Sequence, residues 1–437
     1  MSEFSMLGMA VYTAGNMIGT GTHQTLIKLA GDGCDNALWA NFLLAGLLAS
    51  LSAVPLLHLY EQFPTSDCLH RAASAGLGGF WGPLVSFVNG QLITIELIFA
   101  VTMQTSFFGD CVSDLLAADP AGTTPVVVCL VLLVVLFSVY RISGALFTAN
   151  VAWTLGVVEL ITVGLLVLSG PLRLLAGGSL RPTVALLDWS RTQPAGFLSG
   201  IHVAIFAYGG FPGMLQEGGL VKDPRRNLPL GILTACVMTT CVYSLMSASV
   251  LLVVEPGAIA RFTNGFDALR GTLPDRAIGM ISCTVLSSVA NNIMENTLVV
   301  IENVHQMTTV KDGCRKLVPA GVGFCSPDVL VYGAIAILTA LKKRIGLGAL
   351  LGDAVDFALI LQFAIFAVLS IVNIDGQQPL NRRSIVPVLS LAANGLVGAW
   401  HLYNASATPM VILMCLVFLP LSFSCKGTFV KMERKTK

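Results

Sequence analysis

The chain has 437 residues, of which 55% are hydrophobic and only 11% charged, with a formal net charge of +1. A soluble domain carries roughly 25% charged residues, so this chain lacks the polar side chains to cover a water-facing surface. Its mean hydropathy of +0.79 points to a lipid bilayer, and the near-zero charge gives no basic face for nucleic acid.

The first apolar run starts at about Phe4 and lacks the basic leader and small-residue cleavage site of a secretory signal, so it reads as a retained span. Near its middle the stretch AGNMIGTGTHQTL, Ala14 to Leu26, brings Gly15, Gly19 and Gly21 together with Thr20 and Thr22. Glycine weakens a helix by about 1 kcal/mol relative to alanine, so a break is expected here. Apolar stretches of about 20 residues, enough to cross a bilayer, recur along the whole chain. We read twelve spans, at 4–30, 37–60, 82–108, 124–141, 147–170, 196–220, 228–254, 277–304, 328–342, 348–374, 384–403 and 406–425. They lack the apolar–polar alternation of barrel strands, which leaves helices as the spanning elements.

An even count puts both termini on one side. The larger share of the 25 Lys and Arg falls there, including Arg225, Arg226, Lys311, Arg315, Lys316 and the C-terminal tail, while Lys342, Lys343 and Arg344 share a loop on the other side. The bias predicts cytoplasmic termini, and the loop after span 3, with Asp110, Asp114 and Asp119 and no basic residue, agrees. The plasma membrane is the expected location.

Span 6 contains FAYGGFPG, Phe206 to Gly213, where a glycine pair precedes Pro212. Proline removes a backbone donor and clashes with the preceding turn, so span 6 is the second broken helix. If spans 1–5 and 6–10 are two inverted five-helix repeats, the two breaks occupy equivalent places, a pattern that marks a midplane binding site in secondary transporters. Unwound backbone cannot face lipid and must line a cavity. Free N–H groups at a half-helix N-terminus suit a carboxylate, and carbonyls at a C-terminal end suit an ammonium. Together they suit a zwitterion such as a free amino acid. The alternative is that the glycines only allow close helix packing, since Gly15 and Gly19 also form a GxxxG.

These residues resemble a known group. GNMIGTGT is similar to the span-1 motif of amino acid–polyamine–organocation superfamily transporters, and FAYGGF to their span-6 motif, most like that of the L-type amino acid transporters. VKDPRRNLP, Val221 to Pro229, resembles the loop that follows span 6 in that family, and Asn41–Val54, Tyr60–Pro64 and Asn381–Arg383 fit more loosely. The resemblance implies an all-α integral membrane protein of about twelve transmembrane helices, a five-plus-five inverted repeat with discontinuous helices 1 and 6. Its parts are one transporter domain over 1–437, with repeat one at about 4–170, repeat two at about 196–374, helices 11 and 12 at about 384–425 and a short tail at 426–437.

Carried over residue by residue, the resemblance implies that the substrate carboxylate meets Gly19, Thr20 and Gly21. The amino group would meet carbonyls near Met17 and Ile18 and at Phe206, Ala207 and Gly209, beside Tyr208, with the Phe206 ring as a gate. The sequence departs from the pattern at His23, at Gly219-Leu220, at Phe211-Pro212 and in span 8, which lacks the usual arginine. In the loop, Asn227 is expected to cap span 7 and Pro229 to lie in its first turn.

Among the carboxylates inside spans, Glu159 and Glu96 are the coupling candidates. Glu159 in span 5 stands where many family members carry a lysine beside the span-1 break. An ionisable residue at that depth is a functional candidate: it could carry a coupling proton, help hold a sodium ion with span-1 carbonyls and the hydroxyls of Ser287 or Ser288, or make a structural hydrogen bond. Glu96 in span 3 is the second coupling candidate and could favour a cationic substrate side chain. His23 could gate with pH or simply be packed.

Eleven cysteines show neither a CxxC pair nor a histidine cluster, which argues against a metal site. Cys129, Cys236, Cys241, Cys283 and Cys415 read as small core residues, and Cys34 and Cys111 lie in loops on one side, where a bridge could form. No nucleotide-binding GxxxxGK[ST] loop, HExxH or HxxxxD motif occurs, which disfavours an ATP-driven pump and an integral membrane enzyme. The expectation is therefore a secondary carrier or exchanger of amino acids needing no cofactor beyond a coupling proton or sodium ion. A cationic amino acid or polyamine carrier is the alternative, and a membrane enzyme or channel a remote one. Whether an accessory glycoprotein subunit joins it is open.

Overall fold

The computed structural model describes residues 4–65, 67–116, 122–190, 192–215, 221–262, 264–309, 326–373 and 382–404. Span 12, Glu217 to Leu220, Cys415 and the C-terminal tail lie outside them. Among the described residues the chain is built of helices, and seven are long and apolar enough to cross a membrane. This is a multi-span all-α membrane fold.

The chain divides into two compact units, each drawing on both halves of the sequence: Met1–Ala53, Gln104–Met214 and Leu220–Asn296 in the first, and Val54–Met103, Leu215–Gly219 and Thr297–Lys437 in the second.

The first unit begins with α1 (Met6–Thr20), whose start is capped by the Ser5 hydroxyl accepting from the Gly8 N–H. A π-helical turn, Gly21–Thr25, and α2 (Leu26–Gly31) follow. Then come α3 (Leu38–Gln62) as far as Ala53, α5 (Trp81–Leu115) from Gln104 onward, α6 (Thr124–Val167), α7 (Ser169–Leu175), α8 (Pro194–Phe206), α9 (Pro224–Val253), α10 (Pro256–Ile259) and most of α11 (Asp275–Thr309). The predicted spans 4 and 5 are the two spanning segments of α6, Thr124–Gly144 and Phe147–Val167, separated by a break at Gly144, where φ of 77° and ψ of 172° call for glycine. Arg181, in the segment before α8, donates to the carbonyls of Leu251 and Val254 and to Asn36 Oδ1, tying that segment to the end of α9.

At 35 residues α5 is about 52 Å long, well beyond a hydrocarbon core of about 30 Å. Asp110, Cys111 and Asp114 therefore ride on its extension instead of the expected loop. Cys34 and Cys111 are both free thiols, and the Cys34 thiol donates to the Gly196 carbonyl. Cys129 and Cys236 are buried as expected, but Cys241 and Cys283 are exposed, because in a bilayer an apolar run need not face the protein interior. The turn into α9 also differs from expectation. The helix starts at Pro224 after a left-handed Asp223, so Asn227 sits inside the first turn and donates to the Lys222 carbonyl, and Pro229 lies within the helix.

The second unit holds α3 from Val54 onward, α4 (Cys68–Leu77), α5 as far as Met103, the end of α11, α12 (Pro327–Ile345), α13 (Gly348–Val372) and α14 (Arg382–Asn404). Leu59, Ala72, Ala73 and Leu369 form one buried cluster, and Asn373 donates to the Ala72 carbonyl. Asn303 Nδ2 donates to the Gly90 carbonyl and to the Thr94 hydroxyl, both at 2.8 Å, joining α11 to α5. Lys342, Lys343 and Arg344 form the last turn of α12, not a loop, where cations complement the helix dipole ahead of a left-handed Gly346.

Candidate functional site

The break in the first span is built around Gly19. There the backbone leaves helical geometry, with φ of −22° and ψ of −123°. A Cβ at this position would land on the carboxamide of Asn292 from α11, so only glycine leaves room. Asn292 Nδ2 donates to the carbonyls of Gly15 at 3.2 Å and Asn16 at 2.8 Å. In a regular helix these oxygens pair with the N–H groups of Gly19 and Thr20, the residues at the break. A side chain from another helix thus takes over hydrogen bonding that a broken helix cannot guarantee by itself.

The sixth span ends as a regular helix at Phe206 and continues in tighter turns, with the N–H groups of Ala207, Tyr208 and Gly209 reaching carbonyls three residues back. Gly210 has φ of +96°, and a Cβ on it would lie 2.6 Å from Asn16 Oδ1. A Cβ on Gly21 would lie 2.9 Å from the Tyr243 hydroxyl and 3.0 Å from Ala207 Cα. The two breaks therefore abut, backbone to backbone. Phe4 and Val221 form a short parallel bridge, with the Lys222 N–H donating to the Phe4 carbonyl, so the segments leading into α1 and out of the sixth span are also tied.

Met17, Ile18, Gly19, Gly21, Ala207, Tyr208 and Gly209 thus gather in one place, and Phe206 closes α8 half-buried beside them. The Thr20 side chain lies outside the described residues. The Ile18 carbonyl accepts the Thr22 hydroxyl. Tyr208 is fully buried, and its hydroxyl donates to the Phe42 carbonyl at 2.8 Å, so its polar end braces α3.

Glu159 lies one turn beyond Gly156, whose Cα would be 3.0 Å from a Cβ on Gly15, so α6 runs against α1 beside the break. One Glu159 carboxyl oxygen accepts the Ser288 hydroxyl, and the other has no hydrogen-bond partner among the described residues. Ser287 instead donates to the Thr284 carbonyl of its own helix. Glu96 belongs to the second unit, buried within range of Gln362 and Asp356. His23 is a packed side chain: it is 1% exposed, its Nδ1 accepts the Gly265 N–H at 3.1 Å, and its ring lies 5.3 Å from that of Phe266. No cluster of metal-ligating side chains is present among the described residues.

Sequence reasoning missed Asn292 and Tyr243. The first had a signal: Ser288, Asn291, Asn292, Glu295 and Asn296 recur at three- and four-residue spacing along α11 and are all buried, an unusual stripe for a spanning helix. Tyr243 had none, since one tyrosine in an apolar run is unremarkable.

Residues 8–303, which include both breaks and this stripe, match the model of the amino acid permease family. The chain belongs to that family, within the amino acid–polyamine–organocation superfamily. It is similar to the methylthioribose transporter of Bacillus subtilis, 25% identical over 314 residues that cover 65% of this chain and 63% of that protein. It is similar to the vacuolar cationic amino acid transporter 4 of Arabidopsis thaliana, 27% identical over 265 residues, 57% of this chain and 43% of the relative. The serine/threonine exchanger SteT of Bacillus subtilis is 22% identical over 292 residues, 66% of this chain and 64% of the relative. The matches span less than two thirds of each of these relatives. All three are transporters, not enzymes.

Proposed function

We propose that the chain carries amino acids across a membrane by alternating access, with the substrate backbone held where the breaks of spans 1 and 6 meet. The observation that carries this reading is the abutment of Gly21 on Ala207, which brings two stretches of irregular backbone together in the interior of the protein. Irregular backbone at membrane depth is tolerated only where it is buried or lines a cavity. The N–H groups around Gly19, Thr20 and Gly21 suit the substrate carboxylate, and the carbonyls of Met17, Ile18, Phe206, Ala207 and Gly209 suit its ammonium. Substrate shifts the equilibrium between outward and inward facing only through its different affinity for the two.

Glu159 is the coupling residue in this reading. A carboxylate at this depth with one oxygen unpaired favours uptake of a proton or a small cation. Glu96 is the second candidate, and a carboxylate would also favour a cationic substrate side chain. The proposed orientation has cytoplasmic termini, in the plasma membrane.

Reconstituted protein tests the reading. Proteoliposomes should take up or exchange at least one of leucine, serine and arginine saturably, and pH or sodium gradients should separate proton from sodium coupling. Methylthioribose, a thio-sugar without an ammonium group, should not compete. If it competes and no amino acid is carried, the site does not read a zwitterion.

A further inference from the structure

Tyr243 stands on α9, outside both broken spans, yet its hydroxyl reaches both of them. It donates to the Met17 carbonyl at 2.5 Å and lies 3.2 Å from the Ala207 carbonyl. In a regular helix Met17 O would receive the N–H of Gly21, but that N–H turns to the carbonyls of Ile18 and Gly19. The phenol therefore supplies the donor that the break removes. Its placement is firmly held: Tyr243 is fully buried, its ring packs 5.0 Å from Phe42 and edge-on at 5.4 Å from Tyr208, and a Cβ on Gly21 would sit 2.9 Å from its oxygen.

Met17 O and Ala207 O are two of the carbonyls that the functional reading gives to the substrate ammonium. The phenol oxygen, 2.5 Å and 3.2 Å from these two carbonyls, occupies a position from which one ammonium would bridge both. We propose that the Tyr243 hydroxyl is an internal surrogate for the substrate's ammonium: it closes the two breaks when the site is empty and must yield when an amine-bearing substrate binds. This rests on the proposed amino acid site at the breaks.

The chemistry sets which substrates can displace Tyr243. A phenol brings one hydrogen and no charge to two acceptors. An ammonium brings three hydrogens and a full positive charge, and its hydrogen bonds are charge-assisted and roughly twice as strong. An amine can therefore displace the phenol, whereas a substrate of the same shape with a hydroxyl in place of the ammonium offers nothing better than Tyr243 already supplies. The empty site is thereby self-satisfied, so no carbonyl pair is left bare inside the membrane, where an unpaired polar group is expensive.

The test is Tyr243→Phe in reconstituted full-length protein, with leucine, serine and arginine and their 2-hydroxy acid counterparts as probes. A buried hydrogen bond is worth about 0.5–1.5 kcal/mol net. Removing the competitor is expected to tighten binding of the carried amino acid by about 2- to 12-fold, and to tighten that of the hydroxy acid by a similar factor. Weaker binding would mean that the hydroxyl contacts substrate directly, and unchanged binding that it only packs; either overturns the proposal. If the variant does not fold, the wild type decides by ultraviolet difference spectroscopy: a tyrosine signal on adding the amino acid but not the hydroxy acid supports displacement, and no signal overturns it. If the wild type carries no amino acid at all, the site reading fails; if it does and Tyr243→Phe behaves otherwise than expected, only the surrogate role fails.

Discussion

Gly19 and Gly144, both in the first unit, each interrupt a spanning helix, and they differ in what surrounds them. At Gly144 the backbone turns with positive φ, and nothing lies within 4 Å of where a Cβ would be. That break joins two spans, and its glycine is there for conformation. At Gly19 the space is filled by a carboxamide from α11, the neighbouring carbonyls are held by Asn292 and Tyr243, and the second broken span lies against Gly21. That glycine is there for contact. A break becomes a candidate site when groups from other helices converge on it, and a lone interruption is only a bend.

Substitution should separate the two kinds of break. The largest effect is expected from Gly19→Ala, where the added methyl must displace Asn292. Uptake should fall by well over about tenfold, the equivalent of more than 1.4 kcal/mol, and normal uptake would remove Gly19 from the site. Asn292→Ala comes next. It leaves the Gly15 and Asn16 carbonyls without their side-chain donor, at about 1–3 kcal/mol, which thermal unfolding in detergent and uptake should both register. An unfolding midpoint and uptake equal to wild type would mean that the helix holds its break unaided. Glu159→Gln keeps the shape of the side chain and can still accept from Ser288, so folding should persist while uptake drops and its pH profile flattens. An unchanged pH profile would end the coupling role. Gly144→Ala should be the mildest for function. Its φ and ψ belong to glycine, so stability falls by about 1–3 kcal/mol, but uptake per folded molecule should match wild type. A loss of uptake comparable to that of Gly19→Ala would erase the distinction between the two breaks.

Much of this was legible beforehand, for local reasons. Runs of apolar residues of bilayer length announce spans. Glycine and proline announce breaks through their own backbone chemistry, so the interruptions at Gly19 and after Phe206 could be read from AGNMIGTGTHQTL and FAYGGFPG. Cys241 and Cys283 show where local reading fails: an apolar run says that a helix is in the membrane, but not which side faces a neighbour. Tyr208 shows another limit of local reading. It lies inside the span-6 motif, yet its hydroxyl is committed to Phe42. Lys342 to Arg344 lay beyond the apolar run only because the long side chains are polar, and the helix continues through them.

The amino-acid sequence alone determined that the chain is a multi-span helical membrane protein and where two of its helices fail, because composition, run length and the conformational limits of glycine and proline act within a few residues. Only the tertiary structure decided what meets those failures. Asn292 lies 273 positions beyond Gly19 by number and Tyr243 is 226 residues from Met17, and no local rule connects them. His23 takes its Gly265 and Phe266 partners across a similar distance. A buried polar group must find a partner wherever the fold supplies one, and which one it finds is a property of packing.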